Sequence, residues 1–359
     1  MQRQDDHLSG GPILRIHRLT QEVLFERLSS DTETRQLALE RVVQLIRECY
    51  PEPSKLMRPA EGTAALAFAV LPHILRTKSF FTMADPPMEG NIQLARLLID
   101  VGNMDLYDNG RIADALSILE LAEAILDRLG APENNDCRGH ILTVRGLCYD
   151  ELGISKRHEG LRIRERCRSV RQQCFAQIPP DKADQEDEIL LFNALTDYAC
   201  SLQHANRFAE VEAICLQCIA QYRKWGPETD PALAFEYAKY YNHMAYVHLF
   251  RGDNAKAVGH ARKGYEFMFR SQSNTQISLL FRFDWANVLF QTGNLDEAIR
   301  QHKIILQLRR DLCGEHNMRI LQSHLNLGII LFFAKRFADA WYVTYPPPFS
   351  LSSFVYPAS

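Results

Sequence analysis

Two cysteines one helical turn apart come nearest to a reactive pair in this sequence. Cys215 and Cys218 have the C-x-x-C spacing within AEVEAICLQCIAQYRKW. Redox use of such a pair needs the first sulfur at a helix N-terminus, where the pKa of the thiol is lowered. This pair lies in the middle of a predicted helix, and a zinc site would need two further clustered ligands, which are absent from the sequence. We therefore interpret the pair as two buried structural thiols.

The histidines are scattered singly through predicted helices. Their spacing assembles no Ser-His-Asp group, no paired carboxylates and no metal-ligand cluster. The sequence also lacks the G-x-x-x-x-G-K-[ST] loop that cradles phosphates. We expect a non-enzymatic chain with no catalytic residue, no metal and no cofactor.

A run of basic residues, KRHEGLRIRERCRSVR, occupies positions 156–171. At helical spacing, Arg157, Arg164, Arg168 and Arg171 share one side. Acidic residues follow at once in QIPPDKADQEDE, which indicates an exposed loop. We interpret the basic side as a solvated face that this acidic stretch partly neutralises. The alternative is a docking stripe for an acidic segment or a phosphate.

Composition limits the class of protein. The chain has 359 residues, of which 46% are hydrophobic and 24% charged, and its net charge is −3. This balance permits a large core and gives no reason to expect a nucleic-acid or membrane partner. The longest apolar runs are shorter than the roughly 20 residues that cross a bilayer. Nine cysteines without an apolar N-terminal signal favour a reduced, cytoplasmic chain.

The elements that must position any site are helical hairpins with a long period. In residues 279–340, Ala286, Leu289 and Gly293 of one hairpin correspond to Gly328, Leu331 and the turn of the next. Small residues at Ala298 and Ala340 mark the second helices of the two hairpins. The repeat length given by the step from Ala298 to Ala340 predicts a stacked helical array. Gly293 is expected to end the first helix in a left-handed backbone conformation.

This pattern resembles the tetratricopeptide repeat, and the link LRRDLCGEHN resembles the kinesin-light-chain type. The resemblance implies an all-α, right-handed α-solenoid whose first helices line a concave face that binds a protein or peptide. Five hairpins and half of a sixth fit within residues 91–341. The marker positions of their second helices are Ala115, His158, Val211, Ala257, Ala298 and Ala340.

The repeat register predicts which side chains face a partner. These candidate partner-binding residues are Asn242, Tyr246, Phe283, Asn287, Phe290, Leu325 and Ile329. A clamp for a C-terminal carboxylate is disfavoured, because the lysines that such a clamp uses are missing. The apolar late positions have two interpretations: a hydrophobic peptide groove, or core that further repeats would cover.

A second resemblance lies near the N-terminus. LRIHRLTQEV, residues 14–23, resembles the motif that closes the winged-helix part of NB-ARC (STAND) NTPases, particularly fungal members. The resemblance implies that His17 is a remnant of a contact to the β-phosphate of ADP, which is too weak to bind nucleotide alone. It also implies an alternative function, in which this chain is the sensor arm of an NTPase whose motor domain is missing here.

The predicted organisation therefore has four parts. Residues 1–12 form a disordered N-terminus, 13–85 the winged-helix end and a helical linker, 91–341 the repeat array, and 342–359 an irregular Pro-rich tail, which we interpret as a truncated or aberrant end. The linker is expected to contain a short strand at 13–16, a helix Thr32–Cys49 and a helix from about Thr63 to Arg76. The apolar stripe of the first of these helices is predicted at Leu37, Val42, Leu45 and Ile46.

Overall fold

A computed structural model describes residues 23, 26–28, 31–58, 64–273, 275–314 and 317–344. Within these ranges the chain is α-helical with short 3-10 and π-helical turns, and it contains no strand. The predicted all-α class is confirmed. The strand predicted at 13–16, His17 and most of the predicted tail lie outside the described residues.

The helices follow one another with short connections. We number them α1 Thr32–Cys49, α2 Ala64–Met83, α3 Ile92–Val101, α4 Ile112–Arg128, α5 Asp136–Glu151, α6 Arg157–Gln177 and α7 Gln185–His204. They continue with α8 Phe208–Trp225, α9 Ala234–Phe250, α10 Asn254–Ser271, α11 Gln276–Gln291, α12 Leu295–Cys313, α13 Met318–Phe333 and α14 Phe337–Thr344. A π-helical turn, Gly102–Tyr107, extends α3.

Helix α1 has the predicted bounds but buries a different face. Asp31 caps it by accepting a hydrogen bond from the Thr34 amide at 3.0 Å. The buried side chains are Arg35, Leu39, Val43 and Ile46, whereas the predicted stripe residues Leu37, Val42 and Leu45 are exposed. Arg35 fixes the buried face, because its guanidinium donates to the carbonyls of Asp85 and Pro86. The predicted stripe was therefore wrong at three of its four positions.

The described chain divides into two compact units. One comprises residues up to 107 together with 111–148, and its core joins apolar side chains of α1 to α5, such as Leu97, Ile118 and Ile141. The other comprises residues 108–110 and those from 149 onward. The division falls within α5, and the domain boundaries near 85–91 stay a prediction.

In the second unit, each first helix packs against the second helix of its own pair and against the preceding one. The pairs are α7/α8, α9/α10, α11/α12 and α13/α14. Helix α9 also contacts both α7 and α11, so these three first helices lie side by side. We call them the first-helix row.

Small residues permit this close packing. The marker residues Ala115, Val211, Ala257 and Ala298 are fully buried and Ala340 is nearly so, whereas His158 is exposed. Gly293 has the predicted left-handed backbone, with φ of 82°. Asn206 and Lys335 take the same conformation at the corresponding turns. The predicted hairpin register is thus confirmed at these positions.

Candidate partner-binding site

The first-helix row and its flanking helices carry a chain of buried ion pairs. Arg164 of α6 is only 1% exposed, and its guanidinium donates to Asp150 Oδ2 at 2.9 Å and to Asp197 Oδ2 at 3.2 Å. Lys239 Nζ of α9 donates to the other oxygen of Asp197 at 2.7 Å. Cations and carboxylates therefore alternate across neighbouring helices, and each helix contributes a charge that the next one neutralises.

These contacts set the protonation of the acids. Burial alone would raise the pKa of the Asp197 carboxyl, but the charges of Lys239 and Arg164 outweigh it and hold the pKa below its ordinary value. The pKa of Asp150 is likewise lowered, against the effect of burial, by Arg164 and by His204. Both carboxylates are thus ionised and paired at neutral pH.

The same contacts correct the interpretation of the basic run. Arg164 and Arg171 are buried, so the side that they share is not a solvated face. Arg164 donates to Asp150 and Asp197, which come from the two neighbouring first helices. The sequence contained one signal for this arrangement, since Asp150 stands at the inner side of a predicted first helix, whereas Asp197 was not among the predicted inner positions.

Asp284 of α11 forms a second polar centre on the row. Asn242 Nδ2 donates to its Oδ2 at 2.9 Å, and the Tyr246 hydroxyl donates to its Oδ1 at 3.2 Å. Burial raises the pKa of Asp284 to about 6, although both hydrogen bonds act to lower it. Asn242 is 9% exposed, and its own Oδ1 has no hydrogen-bond partner. The centre therefore presents one oxygen acceptor, Asn242 Oδ1, that the described residues leave unsatisfied.

The structure brings together only part of the predicted site. Asn242 and Tyr246 meet at Asp284, and Asn287 lies one turn further along α11, half-buried. The prediction that Phe283 faces a partner is corrected. This side chain is 7% exposed and packs inside its own hairpin with Ala286 and Ile305.

The late apolar candidates lie elsewhere. Phe290 is half-buried, with its ring edge-on to Phe333 at 5.4 Å between centroids. Leu325 and Ile329 are exposed on α13, on a face that continues to Phe332. The choice between a peptide groove and core that further repeats would cover stays open for this face.

A small pocket of about 90 Å³ adjoins the ion-pair chain. Its lining residues are Tyr149, Asp150, Gly153, Arg157, Ser201 and His204. His204 Nδ1 lies 3.6 Å from Asp150 Oδ1, and the Ser201 hydroxyl is buried without a hydrogen-bond partner. Within the described ranges, no group of His, Cys, Asp and Glu side chains is arranged to hold a metal ion.

The C-x-x-C thiols lie in the interior, as predicted. Cys215 and Cys218 are fully buried in α8. Burial raises the pKa of both thiols, that of Cys218 to about 12. Thiolates are the reactive form of cysteine, so this pair is inert at neutral pH.

Comparison with known proteins supports the repeat assignment. The family model described as tetratricopeptide repeat matches residues 277–340, which fall within α11 to α14. No curated protein matches the chain. The match and the all-helical fold together fit a tetratricopeptide-repeat-like protein, a class of repeat that generally mediates protein–protein interaction. In the part of the chain that is described, no helix is both long and apolar enough to cross a membrane.

Proposed function

We propose that this chain is a non-catalytic scaffold, acting in the cytoplasm, that binds a segment of a partner protein along the first-helix row. The observation that carries the proposal is the Asp284 centre. Asn242 and Tyr246 from one helix hold a half-buried carboxylate of the next helix, while the Asn242 Oδ1 beside it has no hydrogen-bond partner among the described residues. Unsatisfied buried acceptors are unfavourable in a free protein and are accounted for when a ligand supplies the donors.

The row is suited to recognition because its polar groups are held in place before a ligand arrives. The Asp150, Arg164, Asp197 and Lys239 contacts join α5, α6, α7 and α9 through charge-assisted hydrogen bonds. A preorganised surface loses less conformational entropy on binding than a mobile one. We expect an extended segment or a helix of the partner to lie across the row and to contact Tyr246 and Asn287.

The test is selection of a random displayed peptide library against the full chain. Enriched peptides are then measured against the double variant Tyr246→Ala with Asn287→Arg, which removes an aromatic contact and adds bulk and charge on the row. The matched control is Leu216→Arg, since Leu216 is exposed on the second helix α8. We expect binding to fall at least about tenfold in the double variant, or about 1.4 kcal/mol, and to be unchanged in the control.

Two results would contradict the proposal. One is a library selection that enriches no peptide. The other is an equal loss of binding in the double variant and in Leu216→Arg, which would place the contact away from the row. Circular dichroism melts of each variant establish that the helices remain folded.

A second proposal rests on the motif at residues 14–23, which resembles part of an NB-ARC NTPase. In that case the chain is the sensor arm of such an NTPase and holds its motor domain inactive until a ligand competes. Genomic sequence upstream of this chain tests the idea. An in-frame phosphate loop there would support it, and a promoter directly upstream would refute it.

A further inference from the structure

We infer that Asp284 and Asn242 form a subsite for the guanidinium group of an arginine in the partner segment. This inference rests on the proposed function, because it specifies what the first-helix row recognises. It commits the partner to a basic segment.

The Asp284 carboxylate has no cation in contact with it within the described ranges. Its two oxygens accept hydrogen bonds there from the neutral Asn242 amide and the Tyr246 hydroxyl. Among the described residues, no Lys, Arg or His side chain forms an ion pair with it. A carboxylate accepts roughly four hydrogen bonds, so each oxygen retains capacity for another donor.

The repeat register shows why the cation is missing. Asp197 and Asp284 each precede the left-handed turn residue of their hairpin, Asn206 and Gly293, by the same nine positions. Asp197 receives its lysine from the next first helix, where Lys239 stands thirteen positions before the turn residue Gly252. For Asp284 the next first helix is α13. The residue that stands thirteen positions before its turn residue Lys335, and so corresponds to Lys239, is the neutral Gln322.

Asp197 also pairs with Arg164, and the residue of α10 that corresponds to Arg164 already has other partners. Arg164 stands six positions after the marker residue of its second helix, and the same count from Ala257 reaches Lys263 of α10. The Lys263 ammonium instead donates to Glu228 Oε2 and to the Tyr241 hydroxyl, both at 2.6 Å. Two structurally equivalent carboxylates thus differ in one respect: Asp197 is neutralised within the chain, and Asp284 is not.

The unsatisfied amide oxygen favours arginine over lysine. Asn242 Oδ1 is buried. It lies beside the carboxylate, because Nδ2 of the same amide donates a hydrogen bond to Asp284. Guanidinium carries five N–H donors in a planar fork, which can bond a carboxylate and a neighbouring acceptor together. The neighbouring charges act in opposite directions, since His204 of α7 lowers the pKa of Asp284 and Glu151 of α5 raises it.

The test measures a fluorescein-labelled peptide, three repeats of Gly-Ser-Arg, binding to the full chain at low salt by fluorescence anisotropy. Matched peptides carry lysine or the uncharged isostere citrulline in place of each arginine. The variant Asp284→Asn keeps the side-chain shape and removes the charge. The variant Asp311→Asn changes the net charge equally at an exposed carboxylate of the second helix α12.

We expect Asp284→Asn to weaken arginine-peptide binding at least about tenfold, and Asp311→Asn to leave it within about twofold. The citrulline peptide should bind as weakly to the wild-type chain as the arginine peptide binds to Asp284→Asn. Asn242→Ser removes the amide acceptor but leaves the carboxylate, so it should abolish the preference for arginine over lysine.

The inference is overturned if the arginine peptide does not bind the wild-type chain, if citrulline replaces arginine without loss, or if the two Asp variants behave alike. A failure here is distinct from failure of the proposed function. Library-selected peptides that need Tyr246 and Asn287 but bind Asp284→Asn as well as the wild-type chain would refute only the arginine subsite.

Discussion

Replacing Asp284 by Asn should stabilise the free protein, and the gain should depend on pH. The pKa of this carboxyl is about 6 in the folded chain against an ordinary value of 3.8. Because the folded-state pKa is the higher one, the folded state binds the proton more tightly than the unfolded state does. The ionised carboxyl therefore destabilises the fold, by an amount that grows between pH 4 and pH 6 and is constant above that.

The magnitude follows from the two pKa values. Each pKa unit corresponds to about 1.4 kcal/mol, so a difference of roughly two units gives about 3 kcal/mol at neutral pH. Asn at position 284 carries no charge: its one carbonyl oxygen can accept the bond from the Asn242 amide, and its amide nitrogen can donate to the Tyr246 hydroxyl oxygen, which reverses that bond. The titratable groups that interact with Asp284 are Tyr246 of α9, His204 and Cys200 of α7 and Glu151 of α5, and they are the same in both proteins.

The measurement is urea unfolding of both proteins from pH 4 to pH 8, compared as the difference in free energy of unfolding. We expect this difference to be near zero at pH 4, to rise through pH 5 and to level off above pH 6.5 in favour of the variant. Asp311→Asn should show no such rise, since that carboxyl is exposed. A difference that does not vary with pH, or a wild-type chain that is the more stable at pH 7.5, would refute the reasoning.

Three further predictions follow from the contacts described above. Arg164→Met should reduce the free energy of unfolding by about 3 to 5 kcal/mol in urea titrations, because it leaves Asp150 buried without its cation; a loss below about 1 kcal/mol would contradict the buried pairing. The thiols of Cys215 and Cys218 should react with an aromatic disulfide reagent only after denaturant is added, and prompt reaction in the native protein would show that they are accessible. Leu325→Ser should change the free energy of unfolding by no more than about 0.5 kcal/mol in the same titrations, since this side chain is exposed, and a larger loss would mean that the residue is covered in solution.

The local features of the fold could be predicted from the sequence. The cap at Asp31 and the prolines after Cys49 define α1, and the glycine at 293 defines a turn, because each acts on its own neighbours in the chain. The spacing of small residues predicted the hairpins for the same reason. The buried position of Cys215 and Cys218 followed from their place in the middle of an amphipathic helix.

The candidate site could be predicted only in part, because it depends on contacts between different helices, which join residues 14 to 42 positions apart. Burial of Arg164 depends on Asp150 and Asp197 arriving from two other helices. Each residue turns a helix by about 100°, so the single step from Phe283 to Asp284 on α11 separates the hairpin core from the first-helix row. Phe283 therefore enters the hairpin core, while Asp284, which was not predicted, faces Asn242 and Tyr246.

Gly264 of α10 lies against the α9 backbone at Asn242 and so connects the second helix of this pair to the proposed recognition site. A Cβ atom at this position would lie 3.2 Å from the Ala238 carbonyl oxygen and 3.2 Å from the Asn242 amide nitrogen. Neither is a side-chain atom that can rotate away, so any larger residue in α10 must displace the backbone of α9 at Asn242. A substitution at this buried contact between α9 and α10 can thus shift the Asn242 side-chain amide that we propose meets the partner, and affinity can evolve without any substitution among the residues in contact.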